Sequence, residues 1–174
     1  MGRTYTLITG ASEGIGAEFA RQLVLRKRNV ILVSRTKSKL DAIKAKLEEL
    51  RTGVDIVVFA QDLSQAGAAR KVFDACKVRE TFRTYRLLHE RAERLLQGYQ
   101  VTTLINNAGQ ATGPLYSLEI EDIRKLLELN MTSLTELTTL FLPQMMDFAR
   151  KDQRRSEEGG VLNVSSSSAF QPIP

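Results

Sequence analysis

Cysteine and histidine are scarce in this sequence, and tryptophan is absent. Its 174 residues include one cysteine, Cys76, and one histidine, His89. A single thiol cannot close a disulfide within the chain, and one cysteine with one histidine cannot form a Cys/His zinc site. Disulfide-stabilised secreted scaffolds and zinc modules are therefore excluded, and no metal-ligand set is predicted.

Long apolar runs are also missing. No stretch reaches the ~18 apolar residues that a membrane-spanning helix requires. The N-terminus lacks the apolar segment and the cleavage site of a secretory signal peptide. We therefore expect no transmembrane segment and a cytoplasmic location, or one on the cytosolic face of an organelle.

The charge pattern does not suggest a nucleic-acid partner. The chain has 25 Lys and Arg against 20 Asp and Glu, a formal charge of +5, and the basic excess lies within residues 1–51. Its densest part, residues 26–28, falls at the end of a predicted helix, where cations complement the helix dipole. A nucleic-acid surface usually combines a basic stripe with aromatic side chains, so we predict no nucleic-acid binding.

Short apolar strand patterns alternate with helical patterns along the chain. Strands are predicted at residues 5–9, 30–33, 54–60, 101–105 and 161–164. Strands that alternate with helices form a parallel sheet with helices on both faces. We predict an α/β fold, a Rossmann-type doubly wound parallel sheet, in a single domain over residues 1–174.

The helical patterns give three further expectations. The first helix is predicted to turn one apolar face toward the core, made of Ile15, Phe19, Leu23, Ala20 and Val24. Residues 66–97 are predicted to form a charged helical segment, and its stretch at 79–94 is longer than one crossover helix needs, which predicts an insertion or a broken helix pair. A later helix is predicted from about residue 119 to residue 150, bent near Pro143.

A turn rich in glycine lies between the first strand and the first helix. Its spacing is Gly10-x-x-x-Gly14-x-Gly16. Glycines there let the backbone approach a pyrophosphate, and the first N–H groups of the helix then point at the anion. The spacing differs from G-x-G-x-x-G, and no Lys-Ser/Thr pair follows the last glycine, so this is not a Walker A loop. The turn predicts a dinucleotide site.

The second strand ends at Arg35, where an NAD site often places a carboxylate. No Asp or Glu lies between Glu18 and Asp41. An arginine at this place suits the 2′-phosphate of NADP. The residues therefore predict NADP as the preferred coenzyme, with NAD as the alternative.

Five segments in this order resemble the short-chain dehydrogenase/reductase family in its classical form. They are Thr-Gly-Ala-Ser-Glu-Gly-Ile-Gly at 9–16, Gln-Asp-Leu at 61–63, Asn-Asn-Ala-Gly at 106–109, Leu-Asn-Met at 129–131 and Asn-Val-Ser-Ser at 163–166. Within the family, the chain looks most like broad carbonyl reductases. Very-long-chain 3-oxoacyl reductases and hydroxysteroid dehydrogenases are also similar.

The resemblance implies hydride transfer from a nicotinamide coenzyme to a carbonyl group, which becomes an alcohol. It implies catalytic roles for Ser166, which hydrogen-bonds the carbonyl oxygen, and for Asn130, which steadies a water of the proton relay. The predicted coenzyme-binding residues are Gly10, Ser12, Glu13, Gly14, Ile15, Gly16, Arg35, Asp62, Leu63, Asn106, Ala108 and Gly109.

Several of these assignments have alternatives. Ser166 has serine neighbours on both sides, so its register could slip by one position. Asp62 could cap a helix, contact adenine, or do both. Asn106 could brace the sheet, and Arg35 could be a solvated strand end.

One part of the family's pattern is absent from the sequence. The family's proton donor is a Tyr followed four residues later by a Lys, and none of the four tyrosines has a Lys at that place. We expect this motif to lie past residue 174, so that the chain is the N-terminal two-thirds of an NADPH-dependent reductase and lacks the family's C-terminal strands. Its expected substrate is a small-molecule carbonyl compound.

Two other functions are kept as alternatives. The first is a truncated dinucleotide-binding module without catalytic activity. The second is an interaction protein that uses the charged segment at 77–100 and keeps the fold as a scaffold. Intact members of the family are commonly dimers or tetramers, so a homodimer or homotetramer is an expectation for the complete protein.

Overall fold

A five-stranded parallel sheet forms the centre of the protein. The computed structural model describes residues 3–77, 98–151, 159–166 and 169. The strands are β1 (Thr4–Thr9), β2 (Asn29–Ser34), β3 (Ile56–Ala60), β4 (Gln100–Asn106) and β5 (Gly160–Asn163). Their order across the sheet is β3-β2-β1-β4-β5, and all the pairings are parallel. The predicted Rossmann-type fold is confirmed.

Helices cover both faces of this sheet, as predicted. They are α1 (Gly14–Leu25), α2 (Lys37–Glu48), α3 (Ala68–Cys76), α4 (Ile120–Leu127) and α5 (Ser133–Lys151). On one face, Ile8 packs in a cluster with residues of α1 and α2, such as Val24 and Leu40. On the other face, Leu7 packs in a cluster with residues of α3 and α5, such as Phe141. Neighbouring residues of a strand point to opposite faces, so an unbroken apolar strand supplies both cores.

The strand order creates a crevice at one edge of the sheet. From β1 the chain passes to β2 and β3 on one side, while β4 and β5 lie on the other side. The loops after β1 and β4 therefore leave the sheet side by side, at the carboxyl ends of the strands. This change of direction is where open α/β sheets bind their ligands.

The first helix does not turn Ile15 toward the core, contrary to the prediction. Ile15 is 61% exposed, whereas Gly16, Ala20 and Val24 are buried. Gly16 lies so close to the Gly10 carbonyl that a Cβ on it would be 2.3 Å from that oxygen. Because the helix contacts the turn through Gly16, the preceding residue is rotated by ~100° toward solvent.

The long helix predicted at 119–150 is interrupted earlier than expected. Helix α4 ends at Leu127, a π-helical turn covers Glu128–Thr132, and α5 then continues through Pro143. Single π-turns inside helices often occur at functional sites. The interruption surrounds Asn130, whose side chain bonds to a neighbouring loop, as described below.

Two other sequence expectations concern boundaries. Strand β3 begins at Ile56 rather than at residue 54. The Asp55 N–H donates to Asn29 Oδ1 and its carboxylate accepts from the Tyr5 hydroxyl, while its carbonyl accepts from the Val30 N–H of β2. Of the predicted helical segment at 66–97, the structure describes α3 alone. The predicted insertion within that segment lies outside the described residues.

Candidate functional site

A cavity of about 780 Å³ opens at the carboxyl edge of the sheet. Its lining comes from the loops that follow β1, β2, β3 and β4, and from α2 and α4. The predicted coenzyme-binding residues that line it are Gly10, Ser12, Glu13, Arg35, Asp62, Leu63, Ala108 and Gly109. The other four, Gly14, Ile15, Gly16 and Asn106, do not line it. Cavities of this size commonly hold small molecules and cofactors.

Two glycines allow the turn after β1 to pack against its surroundings. Gly10 has φ +64°, and a Cβ there would lie 2.8 Å from Asn107 Nδ2. A Cβ on Gly16 would lie 2.3 Å from the Gly10 carbonyl oxygen. Any side chain at either position would push the turn away from the start of α1.

The N-terminus of α1 has no side-chain cap. Glu13 is the N-cap residue, and its carboxylate makes no capping hydrogen bond. The first amides of a helix need partners from outside the helix, and they carry the positive end of the helix dipole. Gly10, Ser12 and Glu13, which directly precede these amides, line the cavity. The start of α1 therefore offers an anion-binding arrangement next to the cavity.

The loops after β1 and β4 are joined by a side-chain network. Thr9 Oγ1 accepts hydrogen bonds from the backbone N–H groups of Asn107 and Ala108, both at 2.9 Å. In return, Asn107 Nδ2 donates to the carbonyl oxygens of Thr9 and Gly10, at 3.0 and 3.2 Å. The network fixes the separation of the two loops that flank the crevice.

Sequence reasoning did not single out Thr9 or Asn107. Both residues lay inside the quoted motifs, but neither was given a role of its own. The signal that could have found them is their position: a hydroxyl and an amide at the ends of the two strands between which the sheet changes direction.

Asn106 braces the sheet. It is 5% exposed, and its Nδ2 donates to Thr138 Oγ1 at 3.1 Å and to Asn163 Oδ1 at 2.9 Å. The side chain therefore links β4 to α5 and β5, which is the alternative role given to it above. The coenzyme contact of Asn106 stays a prediction.

Asp62 does not cap a helix, so that alternative is wrong. The N-cap of α3 is Gly67, in a left-handed conformation with φ 72°. Asp62 Oδ1 instead accepts from the N–H and the hydroxyl of Ser64, at 3.0 and 2.8 Å. Burial acts to raise the pKa of Asp62, but these hydrogen bonds and the charge of Arg35 outweigh it and lower the pKa below its usual value.

Glu13 and Lys39 form an ion pair at the end of the cavity that Arg35 and Asp62 also line. Lys39 Nζ donates to Glu13 Oε2 at 2.9 Å. The hydrogen bond and the charge of Lys39, followed by the charge of Arg35, lower the pKa of Glu13. The carboxylate is therefore ionised at neutral pH, and this end of the cavity carries two cations and two carboxylates.

Asn130 is held by the loop after β4. Its Oδ1 accepts from the Gln110 N–H at 2.9 Å, and its Nδ2 donates to the Gln110 carbonyl at 2.8 Å. Gln110 and Gly109 line the cavity, whereas Asn130 itself does not. The geometry makes Asn130 a positioning residue for this loop, and its predicted role in a proton relay stays a prediction.

Ser166 follows β5 at the same edge of the sheet as Asn106. The chain is held there by a hydrogen bond from the Val164 N–H to the Asn106 carbonyl, at 2.9 Å. Ser166 and Ser165 are both exposed and do not line the cavity. The choice between these neighbouring serines, and the catalytic role itself, stay predictions.

The described residues also bear on metal binding and on membrane crossing. Within the described ranges, no three His, Cys, Asp or Glu side chains are grouped so that they could hold a metal ion. Across the same ranges, none of the helices is long and apolar enough to cross a membrane.

The strand order, the glycine turn and the cavity at the change of direction define a Rossmann-type α/β protein. Comparison with known families narrows this class. The sequence profile described as short chain dehydrogenase matches residues 4–174. The chain therefore belongs to the short-chain dehydrogenase family, and the resemblance drawn from its motifs is confirmed.

Individual relatives match over almost the whole chain. A very-long-chain 3-oxoacyl-CoA reductase of Kluyveromyces lactis is 32% identical over 173 residues, which are 98% of this chain and 44% of that protein. The enzyme of the same name from Homo sapiens is 28% identical, over 98% of this chain and 47% of its own length. The chain thus spans about half the length of the curated relatives it matches.

A solved structure supports the same assignment. The short-chain dehydrogenase from Sphingobium yanoikuyae in complex with NADPH is 30% identical, with a TM-score of 0.71. The match covers 97% of this chain and 56% of that one. The fold described here is therefore shared with a protein whose structure contains a dinucleotide.

Proposed function

We propose that this chain forms the coenzyme-binding part of an NADPH-dependent oxidoreductase that reduces a carbonyl compound to an alcohol. One observation carries the proposal: the glycine turn before α1, through Gly10, Ser12 and Glu13, and the Arg35 side chain border one cavity at the carboxyl edge of the sheet. An anion site and a cation that border one cavity are what a dinucleotide with an additional phosphate requires.

The residues present fit such a coenzyme. The close approach of Gly10 and Gly16 leaves the turn without side chains, so a diphosphate can reach the amides of α1. Arg35 and Asp62 both line the cavity, which supports the Arg35 guanidinium as the group that binds the 2′-phosphate. The NADPH in the Sphingobium structure supports this choice of coenzyme.

The bound coenzyme would supply a hydride to the carbonyl carbon of the substrate. As charge develops on the oxygen, the hydroxyl of Ser166 donates a hydrogen bond to it, and Asn130 holds the adjoining loop in place. The family resemblance implies a Tyr-x-x-x-Lys pair as the proton donor, and none of the four tyrosines of this sequence has a Lys at that spacing. The names of the curated relatives suggest 3-oxoacyl thioesters as the first carbonyl substrates to test.

The complete protein is further proposed to be a homodimer or homotetramer. Large apolar side chains are exposed on and between α4 and α5, and they include Leu127, Met131, Leu142 and Met146. Apolar surface of this kind is typical of contact between subunits.

Titration calorimetry with NADPH and NADH tests the proposal. We expect the chain to bind NADPH, and Arg35→Ala to weaken NADPH at least tenfold while NADH affinity stays within about twofold. Lys37→Ala is the matched control, because Lys37 is an exposed cation near Arg35 that does not line the cavity. An equal loss for both coenzymes would refute the assignment of Arg35.

A module that binds the coenzyme without turning it over is the remaining candidate. A longer coding sequence that contains Tyr-x-x-x-Lys, together with ketone-dependent NADPH oxidation by its product, would support the reductase. Coenzyme binding without oxidation in that complete product would favour the module.

A further inference from the structure

The ion pair between Glu13 and Lys39 connects two separate elements at one end of the cavity. Lys39 lies in the first turn of α2, and Glu13 directly precedes α1, 26 residues earlier. Both side chains line the cavity together with Arg35. The side chains of Lys39 and Glu13 are 54% and 73% exposed, so their ion pair contributes little to stability and remains open to a ligand.

The other lysine of this turn is differently engaged. Lys37 Nζ lies 2.8 Å from Asp41 Oδ2, one helical turn away, and Lys37 does not line the cavity. The first turn of α2 contains no acidic residue. Lys39 is therefore the side chain by which α2 adds positive charge to the cavity next to Arg35.

A buried hydroxyl marks the same end of the cavity. Ser34 is 8% exposed and lines the cavity, and its Oγ has no hydrogen-bond partner in the described part of the chain. A buried polar atom without a partner is costly, because it has lost its hydrogen bonds to water. A polar ligand group beside Arg35 would give this hydroxyl a partner.

We propose that Lys39 is the second cation of the 2′-phosphate subsite and that Glu13, by competing for Lys39, sets the preference between NADPH and NADH. The inference rests on the proposed coenzyme site. A phosphate monoester carries about −1.5 to −2 charges at neutral pH and makes strong hydrogen bonds to both guanidinium and ammonium groups. The Glu13 carboxylate repels that phosphate but not the 2′-hydroxyl of NADH, so the pair discriminates between the two coenzymes.

Three variants separate these roles: Lys39→Gln, Glu13→Gln and the control Lys37→Gln. Each is titrated calorimetrically with NADPH and NADH, and with adenosine 2′,5′-bisphosphate and adenosine 5′-monophosphate. We expect Lys39→Gln to weaken NADPH and the bisphosphate about tenfold, with NADH and the monophosphate within about twofold. Glu13→Gln should strengthen NADPH about threefold. Lys37→Gln should change neither coenzyme.

Lys39→Arg retains the positive charge and should keep the NADPH affinity of the unmodified chain. It therefore shows whether a substitution at this position alone disturbs the fold. Equal weakening of NADPH by Lys39→Gln and Lys37→Gln would overturn the inference, because both lysines would then act only through general charge. Weaker NADPH binding by Glu13→Gln would overturn the competing role of Glu13. An unchanged chain that binds neither coenzyme would instead refute the proposed function, and this inference with it.

Discussion

Replacing Gly16 by alanine tests the packing at the start of α1 most directly. A Cβ at this position would lie 2.3 Å from the Gly10 carbonyl oxygen and 2.6 Å from Asn107 Nδ2. Ordinary contacts begin near 3.4 Å, so the overlap is about 1 Å. Neither neighbour is a flexible chain end, since one is backbone and the other donates to Thr9 and Gly10.

The expected cost follows from two opposing effects. Forcing extra volume into a packed site costs roughly 1–3 kcal/mol. Alanine is favoured over glycine within a helix by up to about 1 kcal/mol, which offsets part of this cost. We therefore expect Gly16→Ala to lower the free energy of unfolding by about 1–2 kcal/mol. For a domain of this size, such a loss corresponds to a fall of roughly 2–8 °C in the thermal midpoint.

Thermal and urea denaturation of the chain without coenzyme measure this change. Gly113→Ala is the matched control, because a Cβ there would meet nothing closer than Ser117 Oγ at 3.8 Å. The displaced turn should also weaken NADPH binding about tenfold, since its amides would no longer point at the diphosphate. A Gly16→Ala chain that is as stable as Gly113→Ala and keeps full NADPH affinity would refute this account of the turn.

Three further predictions concern other parts of the structure. Asn130→Ala removes both hydrogen bonds to Gln110. Urea denaturation should show a free energy of unfolding lower by about 1–2 kcal/mol. An unchanged urea midpoint would contradict the positioning role of Asn130. Burial, then the hydrogen bond and charge of Asp55, raise the pKa of Tyr5 from 10.0 to about 12. The folded state holds the Tyr5 proton more tightly than the unfolded state does, so this group stabilises the fold fully below pH 10 and loses that effect as the pH rises toward 12. Tyr5→Phe should therefore make thermal midpoints less dependent on pH in that range. Burial raises the pKa of the Cys76 thiol to about 12, so a thiol reagent at pH 8 should modify it only as fast as the chain unfolds; rapid labelling of the folded chain would contradict this.

Much of the fold is predictable from local patterns. The apolar runs of β1, β2 and β4 mark strands that are buried on both faces, and their boundaries differ from the predictions by a residue at each affected end. Strand and helix patterns depend on neighbouring residues, which a single sequence displays directly. The glycine turn is recognisable for the same reason, because it lies between a strand and a helix.

Local patterns failed where a distant residue decided the outcome. Ile15 has helical spacing with Phe19, yet it is exposed. Helix α1 packs against the glycine turn and Asn107 through Gly16, which turns Ile15 toward solvent. The long helix is interrupted around Asn130 rather than at Pro143, and there Asn130 bonds to Gln110, 20 residues earlier in the chain. No periodicity within the helix records that contact.

The candidate site also has features that the local sequence shows and features that depend on distant contacts. By itself the sequence determined that a glycine turn, an arginine at a strand end and the family's asparagine and serine motifs are present in order. Only the tertiary structure decided that Asn107 bonds to the backbone of Gly10, 97 residues away, and that Lys39 reaches Glu13. These contacts depend on which strands are neighbours and on their register, because a shift of one residue in a strand would turn each side chain to the other face of the sheet.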